Sequence, residues 1–265
     1  MEGLATALLE LQRLTERLRR DCPWDREQTA RTIVPHTVEE AYEVADAALA
    51  GDDAKLLDEL GDLLFQVFFL ALTLQERDDG DLGAVARGVH DKLVRRHPHV
   101  FGEAEAPTSA RAQHERWERI KVEQEGRSGI FHDVAEALPG LLYARKVQRR
   151  AASARFDYPD AASAVADLDA ELDELKAELA RGVPAAETEP DRRQADELGD
   201  LLFAAVNVSR LLNVDPELEL RRAAARFRER VEVAEALAAR DGENWVELPL
   251  ERQDHYFDRA KETSE

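Results

Sequence analysis

Four acidic residues in the first half of the chain have a spacing that suits a metal site. Glu40 and Glu43 are three positions apart, and so are Glu59 and Asp62. Residues three apart share one face of an α-helix, so two antiparallel helices can bring all four carboxylates together. Carboxylates held this close repel one another unless a cation or solvent lies between them. The spacing therefore predicts either a cation site or a solvated acidic helix face.

The octapeptide DELGDLLF occurs twice, at 58–65 and at 196–203. An acidic helix is predicted before each copy, and a basic helix and then a helix with an aromatic residue and a lysine are predicted after it. The loops differ in length between the halves, and surface insertions of that kind cost little free energy. The chain therefore has the pattern of an internal duplication, and the repetition favours the cation site over the solvated face.

The predicted ligands of this site are all carboxylates. Oxygen ligands select a hard cation, and the lack of a Glu-x-x-His pair argues against a di-iron helical bundle. Mg²⁺ is the first choice and Mn²⁺ the substitute. Because Mg²⁺ keeps coordination positions for water and substrate phosphates, the pattern indicates phosphoryl chemistry rather than a structural ion.

Basic residues lie one helical turn apart after each octapeptide. Lys92 and Arg96 are four apart in the first half, and Arg226 and Arg230 repeat that spacing in the second. Such a pair either binds phosphate or is simply exposed, and the recurrence favours phosphate binding.

An aromatic residue and a lysine four positions later also recur in both halves. Trp117 precedes Lys121, and Phe257 precedes Lys261. An aromatic ring at this place could stack on a nucleotide base or anchor its helix in the core. Both interpretations stay open.

The composition is that of a helical protein. Hydrophobic residues make up 44% of the chain, charged residues 35% and aromatic residues 6%, with much Ala, Leu, Glu and Arg, which favour helix. We therefore predict an all-α fold. Thr37, three residues before Glu40, predicts a capping box that opens a helix there, after an ordered loop over 21–29. The apolar residues of the first octapeptide predict a heavily buried helix, in which Gly61 leaves room for another backbone or a ligand; they are Leu60, Leu63, Leu64 and Phe65.

A stretch with glycine and serine near 126–130 separates the two sets of predicted helices. We predict an N-terminal helical domain over 1–125, a linker over 126–137 and a C-terminal helical domain over 138–265. Each domain is long enough to bury its own core.

The charge of the chain limits its partners. With 36 basic and 56 acidic residues, the formal net charge is −20, so we expect neither stable nucleic-acid binding nor electrostatic attraction to an anionic membrane. The single cysteine, Cys22, excludes an internal disulfide and suits a reducing compartment. Neither a long apolar segment nor a signal-peptide pattern occurs, and we expect a soluble, cytoplasmic protein.

The acidic motifs and the segments around them resemble those of the MazG nucleoside triphosphate pyrophosphohydrolases. The mark of that family, EExxE followed by ExxD, is present as EEAYE at 39–43 and ELGD at 59–62. The resemblance extends to CPWDREQT at 22–29, to KLVRRHPHVF at 92–101, and to the second ELGDLLF with Asn207 just beyond it.

This resemblance implies tandem duplicated domains of four-helix-bundle type that form a homodimer. It implies Mg²⁺-dependent hydrolysis of a nucleoside triphosphate between the α and β phosphates, which yields a monophosphate and pyrophosphate. Glu39 would be a further carboxylate near the attacking water. The implied metal ligands are Glu40, Glu43, Glu59 and Asp62 in the first half and Glu171, Glu174, Glu197 and Asp200 in the second. The catalytic set is Glu39, Glu40, Glu43, Glu171 and Glu174. The candidate substrate-binding residues are Lys92, Arg96, Trp117, Lys121, Arg193, Asn207, Arg226, Arg230, Phe257 and Lys261.

Each half departs from the family's pattern at one place. Ala170 occupies the position that corresponds to Glu39, so the second half lacks this carboxylate. Phe69 occupies the position that corresponds to Asn207, a polar residue that could contact a sugar or base. Both halves stay candidates for turnover.

Two alternatives to a general nucleotide-pool housekeeping enzyme stay open. One or both halves could be non-catalytic modules that bind a nucleotide or form the dimer, as the loss at Ala170 suggests. The chain could also be a narrower relative that hydrolyses dCTP or phosphoribosyl-ATP, although the duplication argues against it.

Overall fold

The computed structural model describes residues 2–106, 129–132, 134–182 and 191–263, together with positions 113, 116, 117 and 120. Regular structure within these residues is helical, with no strand among them. The all-α prediction is thereby confirmed. The helices are α1 (Glu2–Asp21), α2 (Pro23–Glu27), α3 (Ala30–Ala50), α4 (Asp53–Gln75), α5 (Leu82–Arg96), α6 (Pro98–Phe101), α7 (Gly140–Ser153), α8 (Ala161–Leu179), α9 (Arg192–Leu211), α10 (Pro216–Arg240) and α11 (Leu250–Thr263), with a 3₁₀ turn at Trp245–Glu247.

The chain divides into two compact units, Met1–Ile120 and Lys121–Glu265. In the first unit α3 packs against α4, and α1 contacts α2 and α4. In the second unit α8 packs against α9, α7 contacts α9 and α10, and α10 packs against α11. The boundaries at 125 and 138 and the duplication itself stay predictions. None of the described helices is long and apolar enough to cross a membrane.

Helix α3 begins earlier than the sequence suggested. Thr29 is its N-cap, and the Thr29 and Thr32 side chains form the reciprocal hydrogen bonds of a capping box. The prediction of a helix start at Thr37 was therefore wrong, because the Thr37 hydroxyl donates to the carbonyl of Ile33 one turn back, 3.3 Å away. Pro35 lies inside the helix. Helix α3 therefore continues past a residue type that usually interrupts a helix. Part of the predicted loop over 21–29 is also helical, as α2.

A tight turn at Gly51 and Asp52 joins α3 to α4. Gly51 caps α3 in the left-handed conformation, with φ of 70°, a backbone geometry that glycine adopts without the cost borne by other residues. Asp52 caps α4 by accepting a hydrogen bond from the backbone N–H of Lys55 at 3.0 Å. Two adjacent caps of this kind reverse the chain within two residues, so α4 returns along α3.

The apolar residues of helix α4 are buried only toward its C-terminus. Phe68, Phe69 and Leu72 lie in the core of the first unit. Nearer the N-terminus, Leu60 is 46% and Leu64 38% exposed. The prediction that the octapeptide helix is heavily buried was therefore wrong, because the first unit covers only one side of it.

The core of the second unit includes a cluster at the contact between α10 and α11. Tyr256 is fully buried there beside Ala234 and Ala238. The guanidinium of Arg252 lies 4.8 Å from the centre of the Tyr256 ring, and that of Arg259 lies 5.1 Å from it. This packing fixes α11 against α10, the helix that carries the candidate basic residues of the second half.

Candidate metal centres

The turn at Gly51 explains how the first set of acids comes together. Glu43 and Glu59 are equally far along the chain from Gly51, and the same is true of Glu40 and Asp62. In a helical hairpin, residues at equal distances from the turn face each other across the helix pair. Carboxylate oxygens of Glu40, Glu43 and Glu59 accordingly lie within 4.8 Å of one another.

A second group of three carboxylates forms on the α8–α9 pair. Oxygens of Glu171, Glu174 and Glu197 lie within 4.8 Å of one another. Glu197 belongs to the second octapeptide and has the place that Glu59 has in the first. Helix pairs joined by connections of different length therefore produce the same acidic group in both units.

The carboxyl groups of the first group are electrostatically strained. Burial raises the pKa of Glu40 above its usual range, and the charges of Asp62 and Glu43 raise it further. Burial also raises the pKa of Glu59, with Glu43 adding to the rise. Glu59 is only 9% exposed, which places a charged group in poor contact with water. A bound cation would relieve both effects.

The second group shows the same strain. Burial raises the pKa of Glu171, followed by the charges of Glu174 and Asp200. Burial and Glu174 likewise raise the pKa of Glu197. The charges that raise these pKa values are carboxylates of the group itself and of its surroundings.

These groups fit a hard divalent cation by the chemistry of their donors. Every candidate ligand atom in the two groups is a carboxylate oxygen, the ligand type that Mg²⁺ and Mn²⁺ prefer. Three ligands leave coordination positions for water or phosphate oxygens. The predicted fourth ligands, Asp62 and Asp200, are exposed and lie outside the 4.8 Å groups, but their charges act on Glu40 and Glu171.

The Glu39 side chain lies near His36, one turn earlier in α3. Its Oε2 atom lies 3.8 Å from Nδ1 of His36, and its side chain is 67% exposed. Glu39 is therefore beside the acidic group and open to solvent. At the corresponding position in α8, Ala170 has no carboxylate.

Lys55 is a cation near the first group that the sequence analysis did not single out. Its Nζ atom lies 3.9 Å from Oε1 of Glu59. It occupies the place in α4 that Arg193 has in α9, four residues before the octapeptide's glutamate. Aligning the two octapeptides, which places Lys55 opposite Arg193, could have identified Lys55 from the sequence. A surface depression beside it is lined by Ala54, Lys55, Leu57, Asp58, Gly61 and Asp62.

Trp117 contacts the end of α5 that carries the basic pair. Its indole N–H donates to the carbonyl of Arg96 at 3.1 Å, and its ring is 5.4 Å from that of His97. These contacts favour the role of helix anchor that was one of the two alternatives. Lys92 and Arg96 are both half-buried on α5. Lys121 lies outside the described residues.

In the second unit, Phe257 and Lys261 come together. The Lys261 ammonium lies 5.0 Å from the centre of the Phe257 ring, and Phe257 packs against Phe227 at 5.5 Å. Phe227 adjoins Arg226 on α10. Phe257 thus also anchors the helix that carries a basic pair, of which Arg226 is exposed and Arg230 is half-buried. Arg193 is exposed at the start of α9.

Asn207 is held by an ion pair that the sequence analysis did not find. Its Oδ1 atom accepts hydrogen bonds from Arg210, at 2.9 Å from Nε and 2.6 Å from Nη2. Arg210 in turn pairs with Asp157 in the segment before α8. With its oxygen occupied, Asn207 retains its amide N–H groups as donors.

Comparison with known proteins identifies the family. Residues 28–101 match the MazG nucleotide pyrophosphohydrolase domain. A Thermotoga maritima protein named nucleoside triphosphate pyrophosphohydrolase/pyrophosphatase MazG is 38% identical over 256 residues, which are 95% of this chain and 94% of that protein. The chain belongs to the MazG nucleotide pyrophosphohydrolase family.

A second relative agrees with this assignment. An Escherichia coli protein named nucleoside triphosphate pyrophosphohydrolase is 38% identical over 243 residues, covering 91% of this chain and 90% of that protein. The crystal structure of a mazG-related protein from Thermotoga maritima aligns with 43% of this chain and 98% of its own, at 29% identity and a TM-score of 0.38. The family and the enzyme class predicted from the sequence are therefore confirmed by the two relatives that span nearly the whole chain.

Proposed function

We propose that the chain hydrolyses nucleoside triphosphates to a nucleoside monophosphate and pyrophosphate with Mg²⁺ as cofactor and Mn²⁺ as a substitute. The main support is the pair of carboxylate groups, each with its oxygens within 4.8 Å. They lie in a chain whose relatives, over 95% and 91% of its length, carry the name of this activity.

In this proposal the cation is held by the three glutamates of each group, with the nearby aspartate joining directly or through water. These ligands are Glu40, Glu43, Glu59 and Asp62 in the first unit and Glu171, Glu174, Glu197 and Asp200 in the second. A bound Mg²⁺ would supply a Lewis acid for a phosphate oxygen and lower the pKa of a bound water.

The residues around the first group suit the remaining steps. A water oxygen bonds to the α-phosphorus, and the bond from that phosphorus to the oxygen bridging to the β-phosphate breaks. Glu39 is exposed beside Glu40 and accepts the proton of the attacking water. Lys55 and the Lys92/Arg96 pair neutralise the charge on the leaving pyrophosphate. No covalent nucleophile is required.

In the second unit, Arg193 has the role of Lys55. Arg226 and Arg230 have the role of Lys92 and Arg96 and neutralise the charge on the leaving pyrophosphate. The amide N–H groups of Asn207 donate to the sugar or the base. Trp117 and Phe257, the latter with Lys261 over its ring, position the helices that carry the basic pairs, and Lys121 remains a candidate cation for the triphosphate.

We also propose that two copies of the chain form a dimer through the octapeptide helices. Leu57 is 76% exposed next to Leu60 and Leu64 on α4. A Cβ atom added at Gly61 would meet nothing within 4 Å, and the same holds for Gly199. A glycine inside a helix costs about 1 kcal/mol relative to alanine. Packing among the described residues does not require either glycine, whereas close approach of a helix from a second copy would.

The activity is tested with purified full-length chain, Mg²⁺ and a panel of nucleoside triphosphates. We expect monophosphate and pyrophosphate in equal amounts, and loss of both on chelation. Glu43→Gln and Glu174→Gln apportion turnover between the units, with Glu10→Gln and Asp169→Asn as exposed acidic controls on α1 and α8. Orthophosphate as the sole product, or hydrolysis that persists in chelator, contradicts the proposal. If neither glutamate variant slows hydrolysis, the ligand assignment is wrong.

The dimer is tested by light scattering coupled to size exclusion. Gly61→Leu should shift the chain to monomer, while Gly3→Leu, at another helical glycine with nothing within 4 Å, should not. A wild-type chain that elutes as a monomer at micromolar concentration contradicts the dimer and leaves the proposed hydrolysis untouched.

A further inference from the structure

Trp24 is a large aromatic side chain that the first unit leaves half outside its core. It lies in the short helix α2 and is 53% exposed. Its ring centre is 5.9 Å from that of His36 on α3, with an angle of 67° between the ring planes. An edge-to-face contact of this kind covers at most one face of the indole. The exposed part of the ring is therefore available to a planar ligand.

The segment that carries Trp24 is held from several directions. The Arg19 guanidinium donates hydrogen bonds to the carbonyl of Gln28, at 2.8 Å, and to that of Asp25. It also pairs with the Glu76 carboxylate at the end of α4, at 2.7 Å. The Gln28 side chain in turn donates to the Trp24 carbonyl at 3.0 Å. The backbone beneath the indole is thus fixed, and a ligand that stacks on this ring loses little binding energy to ordering the protein.

His36 joins Trp24 to the first carboxylate group. Its ring contacts the indole, and its Nδ1 atom lies 3.8 Å from Oε2 of Glu39. Glu39 precedes Glu40, whose carboxylate belongs to the group held within 4.8 Å. Trp24, His36 and Glu39 are all partly exposed. These contacts therefore form a continuous line at the surface, which runs from the carboxylate group through Glu39 and His36 to Trp24.

This order matches the order of the parts of a nucleoside triphosphate. In the proposed reaction the carboxylate group acts at the α-phosphate. In the substrate only the ribose separates that phosphate from the base. With the α-phosphate at Glu39 and Glu40, the ribose lies beside His36 and the base reaches Trp24.

We propose that the Trp24 indole binds the nucleobase of the substrate by stacking, and that His36 lies beside the ribose. This inference rests on the proposed function, because it assigns the base-binding residue of the first site. Stacking uses the π face that every base has, so it holds purines and pyrimidines alike. It replaces the hydrogen bonds that Asn207 offers in the second unit, since Phe69 at the corresponding position of the first has no polar group.

The kinetic test uses full-length chain with Glu174→Gln, so that turnover reports on the first unit. In this background Trp24→Leu should raise KM about tenfold for ATP, GTP, CTP and UTP. Trp24→Phe, which keeps a smaller ring, should raise KM less. KM for ribose 5-triphosphate, which has the same phosphates and sugar but no base, should stay as in the background. Phe156→Leu removes an aromatic ring that is 83% exposed in the second unit and should leave every KM unchanged.

The comparison between substrates separates base stacking from a structural role. A variant that merely distorted α2 and the region of Glu39 would raise KM for ribose 5-triphosphate as much as for ATP. Equal rises for these two substrates, or an unchanged KM for all four nucleotides in Trp24→Leu, overturn the inference.

Tryptophan fluorescence gives a second readout that does not need turnover. The α,β-methylene analogue of ATP, which cannot be cleaved between the α and β phosphates, should quench the emission of the background chain in the presence of Mg²⁺. Most of that quenching should be lost in Trp24→Leu and kept in Phe156→Leu, since Trp117 and Trp245 are unchanged in both. If the wild-type chain releases no pyrophosphate, the proposed function fails. Quenching that persists in Trp24→Leu, or that is absent from the background chain, overturns this inference separately.

Discussion

The Nζ atom of Lys55 lies 3.9 Å from the Oε1 atom of Glu59, so a side-chain cation borders the first carboxylate group. Burial and Glu43 raise the pKa of Glu59, and the charge of Lys55 opposes that rise. In the proposed reaction Lys55 thus competes with a divalent cation for Glu59 and attracts the triphosphate. These two effects have opposite signs and can be measured separately.

Replacing Lys55 by methionine should tighten Mn²⁺ binding and weaken triphosphate binding. Loss of the ammonium leaves the carboxylates more negative, which favours the ion, and removes a charge that attracts phosphate. We expect a several-fold lower Kd for Mn²⁺ by calorimetry and a several-fold higher KM in a pyrophosphate-release assay. Lys176→Met is the control, because Lys176 pairs with Asp173 at 2.9 Å on an exposed face. A rise in the Mn²⁺ Kd of Lys55→Met contradicts the competition.

The effect of Glu40→Gln on stability should depend on pH and change sign with metal. The folded pKa of Glu40 is raised above the ordinary 4.5 by burial and by Asp62 and Glu43. A carboxyl group with a raised folded pKa stabilises the fold at low pH and loses that contribution as pH rises through the folded value. In chelator, Glu40→Gln should therefore melt increasingly above wild type as pH rises from 4.5 to 7.

With saturating Mn²⁺ the order should reverse, because the variant has lost an ion ligand and gains less from binding. Thermal unfolding of both proteins at matched pH measures this. A melting-temperature difference in chelator that is the same at pH 4.5 and 7 contradicts the assigned electrostatic strain.

Replacing Gly51 by alanine should weaken metal binding through the backbone. Gly51 has φ of 70°, and a Cβ atom added there would meet nothing within 4 Å. The alanine therefore lowers the free energy of unfolding only through its backbone conformation, by about 1–2 kcal/mol. A changed turn displaces α4 along α3 and misaligns Glu43 with Glu59. Gly242→Ala is the matched control, with φ of 80° and equally open surroundings. Both should lower the denaturation midpoint, and Gly51→Ala should raise the Mn²⁺ Kd more. Equal Mn²⁺ affinity in the two variants contradicts the role of the turn.

Phe69→Ala should destabilise the first unit strongly. Phe69 is fully buried, and truncating a buried phenylalanine typically costs about 3–5 kcal/mol. Phe156, at 83% exposure, is the surface control, and Phe156→Ala should change the free energy of unfolding by less than about 0.5 kcal/mol. Urea unfolding monitored by circular dichroism compares them. Similar losses in the two variants contradict the burial of Phe69 in the core of the first unit.

The acidic groups could be predicted because helical spacing fixes which side chains share a face. Glu43 and Glu59 also lie symmetrically about Gly51, so a hairpin turn there implied that they meet. The start of α3 was predicted wrongly because both Thr29 and Thr37 offer capping chemistry, and the spacing of Thr37 and Glu40 does not show which threonine caps the helix. Packing of α3 against α4 stabilises the longer helix despite the proline.

The exposure of apolar side chains on α4 was harder to predict from the sequence. Apolar residues such as Leu60 and Leu64 indicate a face that avoids water, but their pattern does not say whether the same chain covers it.

The different chemistry at Phe69 and at Asn207 gives these two corresponding positions different sensitivities to salt. Phe69 adds apolar burial, which an ionic solute does not screen, whereas Asn207 is held through Arg210 and Asp157, an ion pair that such a solute weakens. Guanidinium chloride supplies chloride and guanidinium ions, and urea supplies none. The hydrogen-bonded chain from Asn207 through Arg210 to Asp157 should thus weaken more in guanidinium chloride than in urea, whereas the burial of Phe69 should not show this difference.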